Sequence, residues 1–167
     1  MVYLLDADTL IRADSTYYPL KRFPVFWDWL HHHGSTGALK IPQEQFDEVI
    51  AGRGDLVDWL KERPKKDDLL LPGTVDAALL QRVINDGYAP DLDETELATV
   101  GQDPFLLAYA LVSVDDRTVV SFETSAPAKR RANRKVPDVC QGFGIRCIKL
   151  FDLIEVLDFT TGWTRPH

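Results

Sequence analysis

Four carboxylates stand where a chain of alternating strands and helices gathers its ligands. Asp6 ends the apolar run that begins at Val2, with Asp8 two residues on; Glu48 lies near the end of the segment 43–50; Asp103 precedes Pro104; Glu123 follows the apolar run 118–122. A buried strand that finishes on a carboxylate costs free energy unless something positive meets its oxygens. In an α/β sheet, ligands sit beyond the carboxyl ends of the strands. A magnesium-type cation is the natural partner, because hard divalent ions take carboxylate oxygens and water and need no His or Cys. Each acid also has an ordinary explanation. Asp6 could cap a following helix, Thr9 to Ala13; Glu48 could be surface charge, Asp103 an N-cap and Glu123 a loop residue. If the carboxylates do cluster, mutual repulsion raises some of their pKa values in the absence of metal.

The elements that must position these groups alternate, which points to a parallel sheet covered on both faces. Val2, Leu4 and Leu5 suit a short central strand. Phe23, Phe26, Trp27 and Leu30 recur at helical spacing, with Pro24 in the first turn and a stop at Gly34. His31, His32 and His33 close that helix; consecutive histidines point in different directions, so they make a poor metal site. A short strand is expected over 38–41, then a helix over 43–50 opened by Pro42, a helical piece over 55–62 closed by Pro64 and the charged run 65–68, and a helix capped by Thr74 that runs to Ile84. Residues 88–93 suit a loop. Asp103 as N-cap and Pro104 at the first helical position open an apolar helix over 105–112. Strands are expected over 118–122 and 145–150, with a short helix from Pro137 and a last one over 152–157.

Length and composition fit one domain spanning 1–167: apolar residues make up 45% and charged ones 27%, an ordinary globular balance that argues against disorder. No run approaches the roughly 20 apolar residues of a membrane span, and Asp6 arrives before an apolar signal-peptide core could form. Cys140 and Cys147 are too few for a disulfide scaffold and lack metal-ligand spacing, so a cytoplasmic location with reduced thiols is expected. A net charge of −7 is unusual for a nucleic-acid binder. The positive charge is unevenly placed: Lys129, Arg130, Arg131, Arg134 and Lys135 fall within seven residues, which suits either a solvated loop or contact with phosphate.

Taken in order, Tyr3-Leu-Leu-Asp6-Ala-Asp-Thr-Leu-Ile11, Ile41-Pro-Gln-Glu-Gln-Phe-Asp-Glu48-Val, Gln102-Asp103-Pro-Phe-Leu-Leu-Ala-Tyr-Ala110 and Thr118-Val-Val-Ser121-Phe-Glu123 resemble the motifs of PIN-domain ribonucleases, the fold of the toxin in VapBC-type toxin–antitoxin pairs. Lys135-Val-Pro-Asp138-Val-Cys140 and Tyr17-Tyr18-Pro19 resemble a PIN-like subfamily of uncharacterised proteins. The resemblance implies a three-layer α/β/α domain with a mainly parallel central sheet. It also implies hydrolysis of RNA phosphodiesters with Mg²⁺ or Mn²⁺ held by Asp6, Glu48, Asp103 and Glu123. Asp8 and Ser121 are expected in support, Ser121 by orienting ligands or phosphate, and Lys129, Arg130, Arg131 and Arg134 in contact with RNA phosphate. A small antitoxin protein and a homodimer are the implied partners, with Trp27, Trp29, Tyr17 and Tyr18 as contact or core residues. One departure concerns Glu123, where such toxins carry Asp; Asp138 is the alternative ligand.

Two other classes of function fit parts of the chain. The opening Asp6-Ala-Asp8-Thr9 also matches the signature of haloacid-dehalogenase-like phosphatases, with Asp6 as nucleophile and Asp8 as acid/base. That chemistry needs an acidic pair after a strand, whereas Asp115-Asp116 precedes one. The third possibility is a PIN-like domain that has lost cleavage and serves as a binding module.

Overall fold

The computed structural model describes residues 1–166. Four parallel strands, β1 (Val2–Leu5), β2 (Leu39–Lys40), β3 (Arg117–Val120) and β4 (Arg146–Ile148), form a sheet in the order β2-β1-β3-β4. The helices among the described residues are α1 (Ala7–Arg12), α2 (Pro24–Ser35), α3 (Gln43–Ile50), α4 (Asp55–Lys61), α5 (Arg63–Leu69), α6 (Ala77–Arg82), α7 (Glu94–Val100), α8 (Asp103–Leu111), α9 (Val136–Phe143) and α10 (Leu150–Val156). They cover both faces of the sheet, which gives the expected three-layer α/β/α fold. None is long and apolar enough to cross a membrane.

Side-chain alternation along the strands divides the interior in two. Tyr3 and Leu5 of β1 and Val120 of β3 face one core, built around Phe26, Trp27, Trp29, Phe46 and Leu60. Leu4 and Val119 face the other, with Leu106, Leu107, Val136, Val139 and Cys140. The buried Trp27 and Trp29 are thus interior packing and leave no surface for a partner. Both place their indole N–H on a backbone carbonyl, Tyr18 at 2.8 Å and Leu157 at 3.1 Å, the usual way a buried indole is satisfied.

Several local expectations are revised. The charged run after Pro64 continues as helix α5, because Pro64 sits in its first turn, where the missing N–H costs nothing. Asp76, not Thr74, caps α6 by accepting from the N–H groups of Ala78 and Leu79. The segment beyond Asp93 holds helix α7, opened by a reciprocal cap between Asp93 and Glu96. Wider turns with i→i+5 bonding extend α1 through Ala13–Tyr17 and α6 through Val83–Tyr88.

Candidate functional site

The chain reverses direction in the sheet between β1 and β3. From β1 it steps outward to β2 on one side, and from β3 outward to β4 on the other. The loops leaving the carboxyl ends of β1 and β3 therefore diverge, and a crevice opens between them, the position where doubly wound sheets bind ligands. A cavity of about 260 Å³ lies there, lined by Asp6, Asp8, Glu48, Asp103 and Glu123 together with Arg12 and Gln45.

Asp6 holds the centre of this arrangement. Its backbone N–H bonds the Val120 carbonyl at 3.2 Å, which ties the end of β1 to β3. Its Oδ1 accepts from the Thr9 N–H at 2.5 Å, the helix-cap role expected of it. The Ser121 hydroxyl accepts from the Glu123 N–H at 3.2 Å and lies near enough to the Asp6 carboxylate to lower its pKa. At 4% exposure, burial pushes the Asp6 carboxyl up to about 6 against the pull of those hydrogen bonds, with the Asp8 charge adding to the rise.

Asp103 is not an N-cap. Gln102 takes that place, Asp103 is the first helical residue and Pro104 the second. Its carboxylate is therefore free to face the crevice. Burial pushes it up to about 7, followed by the charges of Glu123, Asp6 and Glu48, with Lys135 opposing. That three separate acids act on Asp103 is the electrostatic sign of a shared site. Glu48, towards the carboxyl end of α3, is raised by burial and by Asp8. Asp8 itself pairs with Arg12, one turn on, at 2.8 Å.

Glu123 has a second commitment. Its Oε2 accepts from the Val136 N–H at 2.7 Å and Oε1 lies 3.4 Å from the Lys135 Nζ, so it caps the start of α9 while bordering the cavity. Asp138 does not join the other acids. It accepts from the Ser125 hydroxyl and from the Ala126 N–H at 2.8 Å, bonds that lower its pKa and hold the loop after β3. The expectation that Asp138 could replace Glu123 as a ligand is corrected accordingly. The basic run is also largely engaged within the chain. Arg131 is clamped by Asp91 at 2.8 Å and Glu96 at 2.7 Å, and Arg134 donates to the carbonyls of Gly87 and Asp138. Arg130 bonds the Pro127 and Lys129 carbonyls. Lys129 is exposed.

Two positioning groups escaped the sequence analysis. Gln45 is buried in α3, accepting from the Ala7 N–H at 2.9 Å and donating to the Gln102 carbonyl at 2.9 Å. One amide thereby joins the residue after Asp6 to the residue before Asp103. The sequence signal was thin, since one glutamine in an amphipathic helix resembles any surface residue. Tyr88 is 7% exposed and its hydroxyl has no hydrogen-bond partner among the described residues. Asp103 and Glu123 are close enough for their charges, after burial, to raise its pKa.

Among the described residues, no three His, Cys, Asp or Glu side chains are arranged, as they stand, in a group that could hold a metal ion. The carboxylates ring the cavity, with Asp6, Asp8 and Glu123 drawn partly aside by Thr9, Arg12 and Val136. Three of them, Asp6, Glu48 and Asp103, are hard oxygen donors that burial makes hold their protons more tightly than free carboxyls do. Neither a curated protein nor a solved structure matches the chain. A family model does match, over residues 3–161, so all the acids of the crevice fall inside it: the chain belongs to the family described as a domain of unknown function (DUF4411).

Proposed function

We propose that this chain is a magnesium- or manganese-dependent endoribonuclease, similar to the PIN-domain enzymes that its four ordered motifs resemble. The observation that carries the proposal is the convergence of Asp6, Glu48, Asp103 and Glu123, from four separate segments, on one cavity at the switch point of the sheet. The donor chemistry fits a hard divalent cation, with Asp6, Glu48 and Asp103 as the residues that would hold it. The proton-holding of Asp6 and Asp103 inside that cavity supports the fit, because a nearby cation would relieve the burial and mutual repulsion that raise their pKa values. When bound, the ion activates a water and neutralises charge on the phosphodiester.

The chain's own residues prepare that chemistry. Ser121 favours the ionised form of the Asp6 carboxylate, and Gln45 fixes the spacing between the loops of Asp6 and Asp103. Lys135 places a positive charge on the side of the cavity that Glu123 borders. RNA as substrate, a cytoplasmic site of action and a small antitoxin-like protein partner follow from the PIN resemblance and are part of the same proposal.

The phosphatase alternative is disfavoured by two placements. Asp8, its acid/base, is paired to Arg12. Asp116 lies at the amino end of β3, where its carbonyl bonds the Val2 N–H, at the opposite end of the strands from Asp6. The test is cleavage of a mixed RNA pool by wild type and Asp103→Asn with Mn²⁺ and with chelator, beside p-nitrophenyl phosphate. Metal-dependent RNA cleavage lost in Asp103→Asn supports the proposal. Absence of RNA cleavage at any metal concentration overturns it, and p-nitrophenyl phosphate turnover that needs Asp6 but not Asp103 restores the phosphatase.

A further inference from the structure

Beside the acidic crevice lies a group of aromatic rings that the chemistry above does not use. Tyr17 comes from the wide turn after α1, Phe122 from the turn after β3, between Ser121 and Glu123, and Phe151 from α10. The rings of Tyr17 and Phe122 stack at 5.4 Å with 14° between their planes. Phe151 stands edge-on to both, at 5.1 Å from Tyr17 and 5.9 Å from Phe122. Tyr17 and Phe151 are each 42% exposed, an unusual position for large rings already in contact with one another. Arg12 joins the two features: it lines the acidic cavity, pairs with Asp8, and its guanidinium lies 5.9 Å from the centre of the Phe122 ring.

We propose that Tyr17, Phe122 and Phe151, rimmed by Arg12, form a stacking platform for an unpaired base of single-stranded RNA whose backbone runs into the acidic cavity. The identity of the ligand rests on the nuclease proposal; the platform itself rests on the rings. Two observations favour a base as the occupant. First, the chain is acidic at −7 and Arg131 and Arg134 are held by internal partners, so phosphate attraction is weakened. Stacking on aromatic faces is another source of affinity, and it is indifferent to base identity. Secondly, the platform adjoins the cavity through Arg12, so a strand engaged there carries its neighbouring phosphate to the carboxylates. A base inside a duplex has both faces covered by its neighbours and cannot stack on these rings, which makes the substrate class single-stranded.

The experiment uses the full chain with Ca²⁺ in place of Mg²⁺ and a short single-stranded RNA carrying 2-aminopurine, beside the same strand annealed to its complement. Affinity is read by anisotropy, stacking by quenching of the 2-aminopurine, and RNA integrity on a gel. The expected result is preference for the single strand, quenching on binding, and a loss of about 5- to 100-fold in affinity in Tyr17→Ala and in Phe151→Ala. Tyr17→Phe and Phe151→Tyr keep the wild-type affinity because they keep a ring. Equal affinity for duplex, unchanged affinity in both alanine variants, or no binding of RNA at all overturns the platform. So does a wild-type dimer that both alanine variants dissociate, since the rings then serve a second copy. Thermal melts of the four variants identify any that fails to fold, and the remaining ring still decides the question. Cleavage with Mn²⁺, measured separately, keeps the two proposals apart. Ring-dependent binding without cleavage leaves the platform and removes the nuclease, whereas cleavage indifferent to both rings does the reverse.

Discussion

Replacing Asp103 by Asn should stabilise the metal-free protein, and only at neutral to alkaline pH. In the folded chain the Asp103 carboxyl is raised from 3.8 to about 7, by burial and then by the charges of Glu123, Asp6 and Glu48. The folded state therefore holds this proton more tightly than the unfolded state does. The stability it contributes is fully present below about pH 4 and is lost as pH rises towards and through 7. About three pH units at 1.36 kcal/mol each correspond to about 4 kcal/mol held against the ionised site above pH 8. Asp6, raised to about 6, pulls in the same direction, but the two share one repulsion and their contributions do not add. An asparagine keeps the shape of the side chain and has no charge to desolvate. The gap between Asp103→Asn and wild type should then grow from under about 1 kcal/mol at pH 4 to about 4 kcal/mol at pH 8. For a chain of this size that is roughly 10 °C in melting temperature.

The assay is thermal unfolding followed by circular dichroism in chelator at pH 4 and pH 8, repeated at pH 8 with Mn²⁺. A wild-type site at 100 times its dissociation constant gains about 2.7 kcal/mol, while the asparagine variant gains much less. Added metal therefore narrows the order of stability seen without it. If wild type and variant show the same pH dependence in chelator, Asp103 does not share the field of the other acids, and the site as described is refuted.

Other substitutions probe the supports of the crevice. Gln45→Leu leaves the Ala7 N–H and the Gln102 carbonyl without partners and should cost about 2–4 kcal/mol in urea unfolding, with weaker Mn²⁺ binding in the protein that remains folded. Ser121→Ala removes a hydrogen bond that lowers the Asp6 pKa, so the midpoint of Mn²⁺ affinity against pH should move upward; an unmoved midpoint would separate Ser121 from the site. Gly87→Ala places a Cβ 2.7 Å from Val139 Cγ1 and 2.9 Å from Phe143 Cε2, in the turn that carries Tyr88. It should destabilise the chain by about 1–3 kcal/mol, measured by the same unfolding titration.

The layers of the fold were legible where burial writes a pattern. The run Tyr3 to Leu5 and the spacing of Phe26, Trp27 and Leu30 announced β1 and α2, because those residues are interior. Helix α7 left no such mark: only Val100 is buried, and Leu97 is 44% exposed. Its available signal was the Asp93–Glu96 cap, two acids easily taken for a polar loop. Helix α5 was hidden by its own charges, which serve it through pairs such as Arg63–Asp67 at 3.5 Å. The wide turns ending at Tyr17 and Tyr88 have no periodicity that a sequence displays, yet they deliver a ring of the aromatic cluster and the orphaned hydroxyl.

The carboxylates were hard to rank because the ordinary and the functional explanations are not exclusive. Asp6 caps α1 with one oxygen and still borders the cavity, since a cap at the carboxyl end of a central strand is already at the switch point of the sheet. Asp103 was freed by a shift of one position: with Gln102 as N-cap and Pro104 second in the helix, its carboxylate has no N–H to serve. Glu123 shows the reverse. Its extra methylene, compared with the aspartate that PIN toxins carry, lets it cap α9 at Val136 while its charge still acts on Asp103. That double role makes Glu123→Asp informative. A shorter side chain gives up the cap on α9, so stability should fall with little change in the pH dependence set at Asp103. Were the pH dependence to collapse instead, Glu123 would belong to the centre of the acidic site and not to its border.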